Sequence, residues 1–136
     1  MPAREAGKKL NQYYSAWKEQ CPRSKNLPIR DVMSHIGDKW SAFILVNLSQ
    51  RPYRFRELKR AIPNISQRVL AQTLKHLEQD GLVNRQVYPT NPPSVEYSLT
   101  ALGESLLIPL WQLVDWTNVN YKKILSARER FIRLKN

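Results

Sequence analysis

The chain has 136 residues and a formal net charge of +11, from 22 Lys and Arg against 11 Asp and Glu, with 42% hydrophobic residues. That length suits one domain that folds without disulfides or metal, and the composition is neither that of a disordered chain nor that of a membrane-spanning one. The longest apolar run, residues 42–46, is far shorter than a bilayer demands, the basic N-terminus has no apolar stretch behind it to form a signal peptide, and a lone cysteine, Cys21, excludes an internal disulfide framework, so a cytoplasmic protein is expected.

Residues 3–20 lack proline and place Leu10, Tyr13, Tyr14 and Trp17 at near-helical spacing, which predicts an amphipathic N-terminal helix ended by Cys21-Pro22. Pro28 suits the first turn of a second helix that runs to Ile36 and is stopped by Gly37. Asp38 is expected to cap a third helix with an inward stripe of Trp40, Phe43, Ile44 and Leu48, ending near Gln50 ahead of Pro52. A short helix over residues 54–62 turns Phe55, Leu58 and Ile62 inward, and Pro63-Asn64 breaks it. Ser66 then caps a helix to about Asp80, with Val69, Leu70, Thr73, Leu74 and Leu77 on one face and Gly81 as its C-terminal cap. Two short helices around a tight Pro-Asn turn form a helix-turn-helix pattern. Beyond it, residues 82–88 and 95–99 alternate as strands around a Pro- and Asn-containing turn, a β-hairpin wing. Thr100 caps a final helical stretch rich in Leu106, Leu110, Trp111, Leu113, Val114 and Trp116, which Pro109 must kink or interrupt. The fold class is mainly α with a small β-hairpin wing, a winged helix-turn-helix.

The charge is clustered. Residues 1–30 carry seven basic and two acidic groups, residues 51–85 eight and three, and residues 122–136 six and one, each a net +5. Residues 86–121 have no Lys or Arg and three carboxylates. The central cluster falls within the helix-turn-helix, where a basic stripe is the footprint of a polyanion such as double-stranded DNA. The alternative is a solvated face that aids solubility.

With its inward stripe removed, the helix over residues 66–80 leaves Gln67, Arg68, Ala71, Gln72, Lys75, His76 and Gln79 outward. Gln pairs bidentately with adenine, and Arg or Lys with guanine. Gln67, Arg68 and Gln72 are therefore base-contact candidates, and Lys75 is a base or phosphate contact. Ser66 joins them at a helix start that favours phosphate. Arg54, Arg56, Lys59 and Arg60 on the preceding helix are expected to position the protein on phosphates, and Lys39 to reach phosphate as well. Trp40 reads as core rather than as a stacking platform, because it continues an apolar stripe.

Nothing calls for an enzyme, a cofactor or a metal. His35 and His76 are far apart and lack metal-ligand spacing with Cys21, and the four glycines do not cluster into a phosphate loop. A non-specific architectural nucleic-acid-binding protein is the alternative function, although such proteins do without an outward Gln/Arg set. The basic segment 122–135, with Ile124, Leu125, Phe131, Ile132 and Leu134, has the make-up of a membrane-surface helix, but it reads as a flank or a solvated end, and no membrane partner is expected.

The ordered motifs resemble a known family. Cys21-Pro22, Ile36-Gly37-Asp38-Lys39-Trp40 and Phe55-Arg56-Glu57-Leu58 are followed by the run from Ile65 to Gln72 and by Leu77-Glu78-Gln79-Asp80-Gly81-Leu82-Val83. Tyr88-Pro89, Pro92-Pro93, Val95-Glu96-Tyr97-Ser98-Leu99-Thr100 and Leu102-Gly103 complete a pattern similar to that of the HxlR-type transcriptional regulators, over about residues 21–116. The resemblance implies a MarR-related winged-helix repressor or activator that binds DNA as a homodimer. It divides the chain into an N-terminal dimerisation helix (1–22), a winged-helix core (23–100), and C-terminal dimerisation helices with a basic tail (101–136). Such a dimer sets two recognition helices in successive major grooves, ~34 Å apart on an inverted repeat. Cys21 sits where some members sense quinones, aldehydes or disulfide stress, and Lys18, Arg23 and Lys25 would favour its thiolate; its other reading is a small buried residue near the dimer seam. The effector, small molecule or oxidant, is not identified by the sequence. The family often has a basic residue where Thr73 and Ser94 stand, so wing contacts here are expected to be polar, through Asn91 or Ser94.

Overall fold

The computed structural model describes residues 1–20 and 27–135, in two compact units, residues 1–38 and the chain from Lys39 onward. The first unit holds α1 (Ala3–Gln20) and α2 (Pro28–Ile36), as the periodicity and Pro28 predict. Leu10, Tyr13 and Tyr14 of α1 are exposed. Cys21, and with it any thiol chemistry, lies outside the described residues.

The second unit begins with α3 (Ser41–Leu48) and β1 (Tyr53–Arg54), continues through α4 (Phe55–Ala61) and α5 (Gln67–Gln79) to β2 (Val83–Tyr88) and β3 (Ser94–Leu99), and ends with α6 (Ala101–Ser105) and α7 (Leu107–Lys135). This is a mainly helical winged helix with a small antiparallel sheet of order β1-β3-β2. Its core is Ile44, Leu45 and Leu48 of α3, Leu58 of α4, Leu70, Leu74 and Leu77 of α5, and Val83 and Tyr97 of the sheet. Ile62 and Ile65, buried on either side of the turn between α4 and α5, anchor that turn to the core. Asn64 takes the left-handed conformation there (φ 68°), which asparagine tolerates better than most residues.

Both ends of α5 are closed by local chemistry. The Ser66 hydroxyl accepts the Val69 N–H at 3.1 Å. At the other end Gly81 is left-handed (φ 75°), its N–H reaches the Glu78 carbonyl and the Leu82 N–H reaches the Leu77 carbonyl, both at 3.0 Å. That paired arrangement satisfies two otherwise orphaned carbonyls and turns the chain into β2. Thr100 then ties the base of the wing: its hydroxyl donates to the Gly81 carbonyl at 2.6 Å and accepts the Gly103 N–H at 3.0 Å.

Three local features differ from the sequence expectations. The cap position of α3 is Trp40 rather than Asp38, because residues 37–40 form bends and a turn before the helix starts. Phe43, expected inward, is 55% exposed, and Leu45 takes its place in the core. The hairpin has a third partner, because Tyr53 and Arg54 pair with Tyr97 and Glu96 of β3, so the short helix expected from residue 54 starts one residue late, at Phe55. The final helical stretch is interrupted as Pro109 requires: the proline has no N–H to offer the Ser105 carbonyl, the helix breaks at Leu106, and Pro109 becomes the third residue of α7, in a first turn whose N–H groups have no intrahelical acceptor.

Candidate nucleic-acid interface

α5 presents two chemically opposite faces. Leu70, Thr73, Leu74 and Leu77 are buried, while Gln67, Arg68, Ala71, Gln72 and Lys75 are exposed along the other side. The inward set fixes the helix rotation, so the outward set is held at a defined angle to any partner. Thr73 is only 6% exposed and its hydroxyl donates to the Val69 carbonyl at 2.7 Å, so this position belongs to the core and not to the outer surface. The Ser66 oxygen accepts from Val69, which leaves its proton available to an external acceptor.

α4 lies beside this face and carries Arg56, Lys59 and Arg60, all exposed. With Arg68 and Lys75 they form no ion pair among the described residues. Arg51 behaves differently. Its guanidinium stacks over the Tyr53 ring, 3.8 Å from the centroid, and pairs with the Glu57 carboxylate at 3.2 Å. Glu57 also accepts the Arg54 backbone N–H at 2.8 Å. That hydrogen bond, with the Arg51 guanidinium beside it, holds the Glu57 carboxyl below its ordinary range. Glu57, the acid of the α4 surface, is thus engaged by Arg51 and by the Arg54 backbone N–H.

The wing tip folds toward the start of α4. A cleft of about 1130 Å³ has Arg54, Arg56, Glu57 and Arg60 on one side and Thr90, Asn91, Pro92 and Ser94 on the other. A second depression, of about 350 Å³, is lined by Phe55, Arg56, Lys59, Arg60 and Gln67. Of the residues singled out from the sequence, Arg54, Arg56, Asn91 and Ser94 therefore meet at one cleft, and Arg56 meets Gln67 at the next. Arg68, Gln72 and Lys75 continue along α5. Lys39 lines neither depression; it precedes α3 with its ammonium 5.1 Å from the half-buried Trp40 ring.

Sequence reading did not find Thr90 as a wall of the cleft, nor Arg85, an exposed cation on β2 opposite Tyr97. The alternation of β2 carried the signal for Arg85. For Thr90 no local signal exists, because its place follows from the long-range pairing of β1 with β3. Among the described residues no three His, Cys, Asp or Glu side chains gather as metal ligands, and no helix is long and apolar enough to cross a membrane.

Comparison with known proteins agrees with this architecture. The family model described as an HxlR-like helix-turn-helix matches residues 35–125. The HTH-type transcriptional regulator YtfH of Escherichia coli (strain K12) is 43% identical over 111 residues, covering 82% of this chain and 83% of the relative. The solved structure of the ytfH regulator from Salmonella typhimurium superposes with a TM-score of 0.68 at 42% identity, over 78% of this chain and 95% of that one. The redox regulator HypR in its reduced form gives a TM-score of 0.68 at 37% identity, over 74% and 99% of the two chains. With the family model spanning most of the chain and α4, α5 and the wing all in place, the protein belongs to the HxlR-like helix-turn-helix family of transcriptional regulators.

Proposed function

We propose that this regulator is a homodimeric, sequence-specific DNA-binding repressor of an inverted-repeat operator, acting by occupancy and without chemistry of its own. The observation that carries the reading is the outward stripe of Gln67, Arg68, Gln72 and Lys75 on a helix whose other face is locked into the core. These side chains enter the major groove, Gln67, Arg68 and Gln72 to base edges and Lys75 to a base or phosphate. Lys39, Arg54, Arg56 and Ser66 hold phosphates, and Asn91 and Ser94 make the polar contacts of the wing.

Dimerisation through the terminal helices is supported by α7. It has 29 residues, none of them buried, and exposes Trp111, Leu113, Trp116, Val119 and Tyr121. So much apolar surface on one helix is the mark of an interaction face. α1 contributes Leu10, Tyr13 and Tyr14 in the same way. A cytoplasmic, nucleoid-associated location follows from the role.

Selection of bound duplexes from a random pool at ~150 mM salt, where purely phosphate-driven binding is weak, tests the reading. An inverted repeat with half-sites about one helical turn apart is the expected result. Recovery of no consensus from folded protein would favour the non-specific architectural role.

Cys21 makes the same binding responsive to oxidants or electrophiles in this reading, supported by the similarity to a regulator described as redox-responsive. Diamide should weaken operator binding by the wild type and leave Cys21→Ser unaffected; equal responses would remove Cys21 from the mechanism.

A further inference from the structure

We propose that the wing grips the DNA backbone rather than reading the minor groove, and that Arg60, together with Arg56, carries a phosphate track from the wing to the head of α5. The inference rests on the DNA-binding reading above and adds a mode of contact to it.

Arg56 and Arg60 are the two cations that line both depressions, so the wing cleft and the smaller hollow beside Gln67 join into one trough. Its α4 wall offers guanidinium groups, whose planar fork of N–H donors matches phosphate oxygens. Its wing wall is neutral. Ser94 brings a hydroxyl and Asn91 an amide, the Thr90 hydroxyl donates to the Pro92 carbonyl at 2.8 Å, and Pro92 and Pro93 have no N–H to give. Minor-groove insertion relies on Arg or Lys drawn to the negative potential of that groove, and residues 89–94 contain neither. One cationic wall facing one neutral, hydrogen-bonding wall suits a single anionic strand lying between them. Glu57, the acid in the lining, does not oppose this, because its carboxylate is held by Arg51 and by the Arg54 N–H. The trough ends at Gln67, the first residue of α5, so a strand lying in it would hold the helix at the edge of the major groove.

The test is the salt dependence of affinity on the selected operator and on a random duplex, for full-length wild type, Arg60→Gln, Arg60→Lys and the Arg56→Gln/Arg60→Gln pair, with thermal melting to confirm folding. Each phosphate contact contributes about 0.9 to the slope of log K against log salt. Arg60→Gln is expected to flatten the slope by about 0.9 on both duplexes, the double variant by about 1.8, and Arg60→Lys hardly at all. A netropsin-type ligand filling the minor groove at the wing should leave wild-type affinity unchanged, whereas ethylation of the facing phosphates should abolish binding.

An unchanged slope in folded Arg60→Gln overturns the proposal even where a consensus operator is recovered. Competition by the minor-groove ligand, with an A·T preference lost in Asn91→Ala, overturns it as well. A flattened slope on random duplex with no recoverable consensus keeps the trough and removes the sequence-reading role.

Discussion

Replacing Gly103 with alanine should loosen the junction between α6 and the base of the wing. A methyl group at this position would run into the backbone oxygen of Leu82 and lie 3.1 Å from Cδ2 of Leu99. The Leu82 oxygen cannot yield freely, because it accepts the Thr100 N–H at 3.1 Å, and Thr100 in turn caps α6 and binds the Gly81 carbonyl. Overpacking against a fixed backbone costs about 1–3 kcal/mol. Loss of one of these hydrogen bonds adds about 1 kcal/mol. Alanine's better helix propensity returns about 1 kcal/mol. The net is a destabilisation of about 2 kcal/mol, which in a unit of this size lowers Tm by about 10 °C. Urea unfolding followed by far-UV circular dichroism measures it directly. A Gly103→Ala protein with the wild-type midpoint and slope would show that α6 can step away from Leu82 at no cost, and the reasoning from close approach would fail.

Arg68→Ala should weaken operator binding by about 1–3 kcal/mol and relax the preference at one base pair; equal losses on operator and random duplex would assign Arg68 to phosphate instead. Ser66→Ala removes the acceptor for the Val69 N–H and should cost about 1 kcal/mol of stability. Ser66→Asp restores the cap but sets a negative charge at the interface, so the melting point should hold while DNA affinity falls. The Glu57 carboxyl, held below its ordinary value of 4.5, stabilises the fold as the anion. Its contribution is therefore present above that value and is lost as pH falls through the lower value of the folded state. Urea midpoints of wild type and Glu57→Gln should differ at neutral pH and converge in acid, and a gap that does not narrow as the pH falls below 4.5 would refute the assignment.

The helix-turn-helix was legible because its punctuation is local. Ser66, Gly81 and Pro63-Asn64 act within a few residues of themselves, and each sits where cap and turn chemistry places it. The rotation of α5 followed from a period of 3.6, which separated Leu70, Leu74 and Leu77 from Gln67, Arg68 and Gln72. β1 was not legible, since two residues are too short to alternate and exist as a strand only through Tyr97 and Glu96, more than forty positions away. The same holds for the cleft, whose walls come from chain segments that meet only once the sheet has formed. Pro109 announced the interruption of the last helical stretch but not its place: the break falls at Leu106, where the proline can sit in the first turn of α7.

β1 runs into α4 with no residue between them, since Arg54 ends the strand and Phe55 opens the helix. β1 is also paired to β3, so Arg54, Glu96 and Gln86 stand side by side across all three strands. A hinge needs at least one residue free to change its backbone angles, and this junction offers none. The strand arm and the short helix therefore swing as one lever, and the α4 wall of the trough is tied to the sheet by hydrogen-bond register rather than by a loop. A change of operator spacing has to be absorbed outside this lever, so mutations that retune spacing should accumulate away from residues 53–55 while those that retune base choice fall on the outward face of α5.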